Sequence, residues 1–134
     1  MKPAILDTDI LSEFLRGNQK VIAKVDEYLK KYGFVNLSVI TYYEILNGLL
    51  YKDAKKQLSR FEDFVKLNKV IPLTPRTAKI AATIQADLRK KGTEIGHTDT
   101  LIAGIAIAGE LQLITNNTAH FKRIKGLEIA NWTK

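Results

Sequence analysis

Pro3-Ala4-Ile5-Leu6-Asp7-Thr8-Asp9-Ile10-Leu11-Ser12 sets an apolar run, an acid and a helix start end to end. Ala4 to Leu6 reads as a short buried strand, which Asp7 closes. Two further acids interrupt stretches that are otherwise almost uncharged. Glu44 is the only charge between Val39 and Tyr51, and Asp99 stands just ahead of the apolar run from Leu101 to Gly109. An ionised carboxylate in apolar surroundings is costly unless a cation or hydrogen-bond donors offset it. Three such residues, far apart along the chain, point to a shared partner. A hard divalent cation held by oxygen ligands fits best.

Outward from that stretch, short apolar runs alternate with longer helical patterns. Strands are expected at Ala4–Leu6, Phe34–Leu37, Val70–Leu73 and Leu111–Thr115, with a further one near Leu127–Ala130. Helices are expected over 9–16, 20–31, 39–51, 53–68, 76–91 and 98–109, with Gly92 and Gly109 placed to end the last two. His120 and Phe121 read as a short helical turn whose Phe121 packs inward, and Trp132 as an anchor. Such alternation argues for an α/β class fold with a mostly parallel sheet covered on both faces. In these folds ligands bind beyond the carboxyl ends of the strands, where the strand order reverses. Asp7 ends the first strand, Glu44 lies early in the helix leaving the second, and Thr115-Asn116-Asn117 ends the fourth. Topology therefore brings these three groups to one edge. It leaves Asp99 open, because two helices intervene between the third and fourth strands.

At 134 residues the chain fits one domain, 1–134, able to bury roughly two thirds of its unfolded surface. A hydrophobic share of 46% is globular in kind. The absence of cysteine excludes thiolate catalysis, disulfides and cysteine-bound metal. With no signal peptide and no membrane-spanning run, a soluble cytoplasmic protein is expected. The formal charge is +7, which suits a polyanionic partner as well as simple solubility. Its distribution says more. Lys52, Lys55, Lys56 and Arg60 cluster, as do Arg89-Lys90-Lys91 and Lys122, Arg123 and Lys125, and the three acids stand outside all of them. Basic surroundings around an acidic centre suit a metal-dependent nuclease.

A helix start accounts for Asp9 as an N-cap, with Thr8 in the turn and Glu13 adding charge to the first helical turn. Capping explains Asp7 poorly. Ser38 reads as an N-cap, and Thr41 and Glu44, three apart, share a helix face with Asn47 and Gly48. Val39, Tyr42, Tyr43, Leu46 and Leu50 form a separate apolar stripe, with the aromatic pair assigned to the core. Asp99 opens a helix that is apolar on all sides, where the dipole alone favours an anion. His97 beside it stays outside the core site, as a lone loop histidine. Thr115 and the asparagines supply neutral oxygens, which turn chemistry also explains. No Walker loop, dinucleotide fingerprint or nucleophilic-serine turn is present.

Ile5–Ser12, Leu37–Ile45, Ile95–Ala103 and Leu113–Phe121 resemble, in order, the four motifs of PIN-domain ribonucleases. More narrowly, the chain resembles the VapC-type toxins of toxin–antitoxin pairs, a group that the closing Gly126–Trp132 also matches. The resemblance implies a three-layer α/β/α sandwich whose central sheet has four to five strands. It implies Mg²⁺, with Mn²⁺ as substitute, held by the catalytic acids Asp7, Asp99 and Glu44, with Asn117 as an oxygen ligand. Thr8, Asp9, Thr41, Thr115 and Asn116 would support them. Many relatives carry a fourth acid at the position of Asn117; the amide adds no charge, so a second metal would be held more weakly. Implied partners are single-stranded or looped RNA such as tRNA, a VapB-type antitoxin protein and a second copy in a homodimer. Cleavage would leave 5′-phosphate and 3′-hydroxyl ends.

Two alternatives compete. Asp7-x-Asp9 with Ser38 imitates a haloacid-dehalogenase-like phosphatase, but Leu11 and the missing later acidic pair oppose it, and Glu44 is left without a role. A non-catalytic PIN-like module binding RNA or protein is the other, with Asn117 as its symptom.

Overall fold

Strand β1 (Ala4–Leu6) lies at the centre of a parallel sheet in the computed structural model, which describes residues 1–134. Strands β2 (Asn36–Ser38), β3 (Lys69–Ile71), β4 (Gln112–Ile114) and β5 (Ile129–Ala130) complete it. The order is β3-β2-β1-β4-β5, and every pairing is parallel. Ala4 and Leu6 enter one core and Ile5 the other. Successive strand residues point to opposite faces, so β1, buried on both sides, is an unbroken apolar run.

Four helices cover the Leu6 face. These are α1 (Thr8–Leu15), α2 (Gln19–Tyr32), α3 (Val39–Tyr51) and α4 (Lys55–Leu67), which contribute Ile10, Leu11, Val21, Val25, Tyr28, Ile45 and Phe61. Helices α5 (Pro75–Lys90), α6 (His97–Ala108) and α7 (Thr118–Phe121) cover the Ile5 face through Leu88, Ile102, Ala103, Ile105, Ala106 and Phe121. The result is the three-layer α/β/α sandwich, with five strands. Trp132 is buried against Tyr28, at 6.0 Å between ring centroids, and anchors the end of the chain. No helix is long and apolar enough to cross a membrane.

From β1 the chain steps outward through β2 to β3, then crosses back to β4 and β5. The reversal opens a crevice between the carboxyl ends of β1 and β4. Helix α6 feeds β4 and returns against the sheet, so its N-terminus lies at the same edge. Asp99 thereby joins the edge that the sequence left open for it.

Several boundaries differ from the sequence expectation. Phe34 is exposed and outside β2, and Leu73 is outside β3. Hydropathy marks where a chain enters the core, whereas strand limits follow the pairing Leu6↔Leu37 and Ser38↔Ile71. Gly92 takes a left-handed φ of 68° just past α5, as expected. Gly109 does not; the left-handed position after α6 falls on Glu110, at 54°. Tyr43 and Leu50 are exposed, so the stripe on α3 is narrower than expected. Adjacent residues on a helix point about 100° apart, so Tyr42, stacked on Phe61 at 5.7 Å, excludes Tyr43 from the same core.

Helices α5 and α6 pack closely because Gly104 has no side chain. A Cβ there would stand 2.8 Å from the Thr77 carbonyl oxygen and 3.0 Å from Ala81 Cβ, both in α5. Gly48 in α3 has nothing within 4 Å of such an atom. Gly104→Ala is expected to lower the unfolding free energy by about 1–3 kcal/mol. Gly48→Ala should raise it by up to about 1 kcal/mol, as Ala favours the helix. Urea midpoints compared at constant m value check both.

Candidate active site

Asp7 continues the β1–β4 pairing one residue beyond the strand, its N–H donating to the Ile114 carbonyl at 2.8 Å. The side chain is 5% exposed. Its Oδ1 accepts from the Thr8 N–H at 2.8 Å, and its Oδ2 from the Thr115 hydroxyl at 2.7 Å. Asp7 is thus the N-cap of α1. The expected cap at Asp9 is displaced, because the Asp7 carbonyl already accepts the Leu11 N–H. Asp9 lies in the first turn, where its Oδ2 accepts the Asn116 N–H at 3.0 Å. Its Oδ1 is buried with no partner. Glu13 falls in the second turn and accepts from Asn18 and Arg16.

Glu44 is aimed by a row of hydroxyls. The Thr8 hydroxyl donates to Glu44 Oε1 at 2.7 Å and lies 2.9 Å from the Thr41 hydroxyl. Ser38 Oγ donates to Thr41 Oγ1 at 3.3 Å. Each hydroxyl has one proton, so the protons run from Ser38 to Thr41 to Thr8 and end on Glu44. Ser38, which the phosphatase alternative needs facing a substrate, is fully buried and capping α3.

Asp99 stands in the first turn of α6, its Oδ2 3.9 Å from His120 Nδ1. That nitrogen is 2.9 Å from Asn117 Nδ2, and the Asn117 N–H donates to Thr115 Oγ1 at 2.9 Å. Asn116 contributes its N–H to Asp9, while its Oδ1 accepts from Asn131 and Thr133 in the closing segment. Three of these partners, His120, Asn131 and Thr133, lie outside the site expected from the sequence. His120 follows Asn117 by three, the spacing that brings residues together on a turn of helix, and that signal was legible. Asn131 and Thr133 carry no such signal. His97 is exposed and outside the network.

Burial pushes the Asp7 carboxyl up to about 7; the Asp9 charge adds to this, and Thr115 and Thr8 oppose it. Asp9 is raised by burial, with Asp99 adding, against the hydrogen bond from Asn116. Asp99 is raised by burial, with Glu44 adding and His120 opposing. These acids therefore feel one another's charge. No three acidic or histidine side chains stand close enough to grip a metal ion as they are. Like charges without a counterion separate, and Thr8 and Thr115 occupy carboxylate oxygens meanwhile. The donor set is nonetheless all oxygen and mostly anionic, and Asp9 Oδ1 is buried and unpaired. In chemistry it fits a hard divalent cation. Beside it, a groove of about 380 Å³ is lined by Thr8 and Glu44 and also by Arg16, Lys52 and Arg60.

A carboxyl whose folded value is raised binds more protons when folded, so its charge opposes folding once pH exceeds the unfolded value of 3.8. The metal-free protein is expected to lose stability from about pH 4 to pH 7, Asp7 contributing on the order of 2–4 kcal/mol. Asp7→Asn should flatten most of that slope and raise Tm at pH 8. Thermal melts in chelator across this range decide it, and a wild type that gains stability with pH would contradict it.

Residues 4–127 match the PIN domain family model. The chain is similar to Ribonuclease VapC2 of Rickettsia felis, 30% identical over 131 residues, 97% of this chain and 98% of that protein. It is 34% identical over 97 residues to the tRNA(fMet)-specific endonuclease VapC of Salmonella typhimurium, 72% of this chain and 74% of that protein. Among solved structures it resembles VapBC2 of Rickettsia felis bound to a DNA fragment from its promoter. There the TM-score is 0.87 at 28% identity, over 96% of this chain and 98% of that one. A family model that spans most of the chain, and a relative 30% identical over nearly the whole length of both proteins, settle the family: the chain belongs to the PIN domain family, on the VapC branch.

Proposed function

We propose that this protein is a Mg²⁺- or Mn²⁺-dependent endoribonuclease, the toxin of a toxin–antitoxin pair. The observation that carries the proposal is Asp7, a buried acid at the sheet's reversal whose charge meets those of Asp9 and Asp99. Relatives named as ribonucleases and as a tRNA(fMet)-specific endonuclease support RNA, tRNA included, as the substrate. A neighbour solved as a VapBC complex supports a VapB-type antitoxin as partner. A homodimer of this chain belongs to the same proposal.

Asp7, Asp99 and Glu44 would hold the cation, with Asn117 as a neutral oxygen ligand. A bound divalent ion would offset carboxylate and phosphate charge and make water a better nucleophile. The chain's own residues do the rest. Thr115 and the Thr8 N–H fix the two oxygens of Asp7, and the hydroxyl row from Ser38 fixes Glu44. Glu44, held by the Thr8 hydroxyl, would also orient an attacking water. Asp9 and Asn116 brace the turn after β4 against the start of α1. Arg16, Lys52 and Arg60, along the groove that Glu44 lines, provide the positive charge a phosphate chain needs. Splayed single strands fit such a narrow site better than a duplex.

Purified protein incubated with total RNA and Mn²⁺ should produce new 5′ ends, which sequencing assigns to one RNA or a few. Chelator should stop the reaction. Asp7→Asn should cut at least about 100-fold more slowly while melting no lower than wild type. An Asp7→Asn protein that cuts as fast as wild type would remove Asp7 from the chemistry and the proposal with it.

A further inference from the structure

His120 makes a contact that the ribonuclease function leaves unused. Asn117 Nδ2 can only donate, and it lies 2.9 Å from His120 Nδ1. That nitrogen is therefore the acceptor, and the neutral ring carries its proton on Nε2. No protein group pairs with Nε2, and the side chain is 46% exposed. Asp99, 26% exposed, also faces Nδ1, at 3.9 Å and so beyond hydrogen-bond distance. A single N–H donor is thus presented to solvent beside the acids, its direction set from behind by an amide.

An imidazole left to itself on a surface would turn freely. This one is held at Nδ1 by a residue whose own N–H is tied to Thr115, and Thr115 in turn is tied to Asp7. The donor is therefore in fixed register with the carboxylate at the reversal of the sheet. What fits it is an acceptor arriving from solvent, and in an acidic site that must work on RNA the acceptor is a phosphate oxygen. Granted the function proposed above, on which this inference rests, we infer that His120 is a substrate-binding residue. Its Nε2–H donates to a phosphate oxygen next to the scissile bond, and Asn117 is the positioning residue that fixes the ring.

A hydrogen bond to a charged acceptor is worth enough that its loss should weaken binding about tenfold or more. The probe is a fluorescein-labelled single-stranded RNA containing a site that the wild type cuts, with binding read by anisotropy in an Asp7→Asn background. His120→Ala should weaken binding by that factor. His120→Gln, which keeps a donor near the place of Nε2, should recover most of it, and Tm should be unchanged in both. In the otherwise wild-type enzyme, His120→Ala should raise KM about tenfold and leave kcat within about twofold.

A merely structural role is separated by a cycle on the substrate. Neutral methylphosphonates placed singly at the phosphates flanking the cut should weaken binding to the His120 protein at one position. At that position they should have no effect on His120→Ala. If His120→Ala binds and cuts as wild type, or if every methylphosphonate acts equally on both proteins, the inference is overturned. If Gln is as poor as Ala, the donor at Nε2 is not what matters and the inference likewise falls. A wild type that cuts no RNA overturns the function itself, a result distinct from any of these.

Discussion

The hydrogen bond from Thr115 to Asp7 joins residues 108 positions apart, across the carboxyl ends of β1 and β4. It exists only in one register of that strand pair, with Leu6 opposite Ile114 and each next residue continuing past the strand. Slipping the pair by one residue would carry Asp7 toward a core and present an apolar residue in its place. The two cores forbid the slip. Ile5 and Leu113 belong to one face, Leu6 and Ile114 to the other, and all four are fully buried. Packing that has no chemistry of its own therefore fixes, to one residue, where the acid stands.

Around that point the molecule accepts electrostatic strain. Burial is the first cause of the raised values of Asp7, Asp9 and Asp99, and their mutual repulsion adds to it. Partial relief comes from groups the fold already has in place: the N–H of Thr8, the hydroxyl of Thr115 and the N–H of Asn116. The relief is incomplete, and Asp9 Oδ1 has none. Incomplete satisfaction of this kind would leave carboxylate oxygens available to a cation. The chain's +7 charge lies elsewhere, on Arg16, Lys52 and Arg60 along the adjoining groove and on the helices. It draws a polyanion toward a centre that would otherwise repel it.

Much of this was legible before any coordinates. Alternation of short apolar runs with amphipathic stretches is enough to specify a doubly covered parallel sheet, and the resemblance of four spaced motifs narrowed it to one family. What escaped did so for physical reasons. Strand ends depend on pairing partners, so Phe34 and Leu73, apolar enough to extend a strand, lie outside one. Helix α1 starts at Thr8 rather than one residue later because the Asp7 carbonyl is engaged by Leu11 from the start. Tyr43 reads as core by composition but has lost its place to Tyr42. Asn131 and Thr133 reach Asn116 only because β5 pairs beside β4, a neighbourhood that no local pattern encodes. His120 is the instructive case, since its spacing from Asn117 was visible and only the purpose of the pair was not.

That purpose bears on the amide at position 117, where the family resemblance implies a fourth acid in many relatives. An amide at position 117 subtracts one negative charge from a crowded site and so eases the repulsion that Asp7, Asp9 and Asp99 already carry. It does a second thing that an acid could not. Asn117 Nδ2 donates to the imidazole, which leaves the ring proton on the far nitrogen, facing solvent. A carboxylate there could only accept, and it would draw the proton of the neutral ring onto Nδ1, leaving Nε2 as a bare acceptor turned toward an incoming phosphate. A lone pair on nitrogen facing a phosphate oxygen would repel it. On the inference drawn above, asparagine is the group that makes His120 a donor, and one residue would both lower the charge of the site and orient a substrate contact.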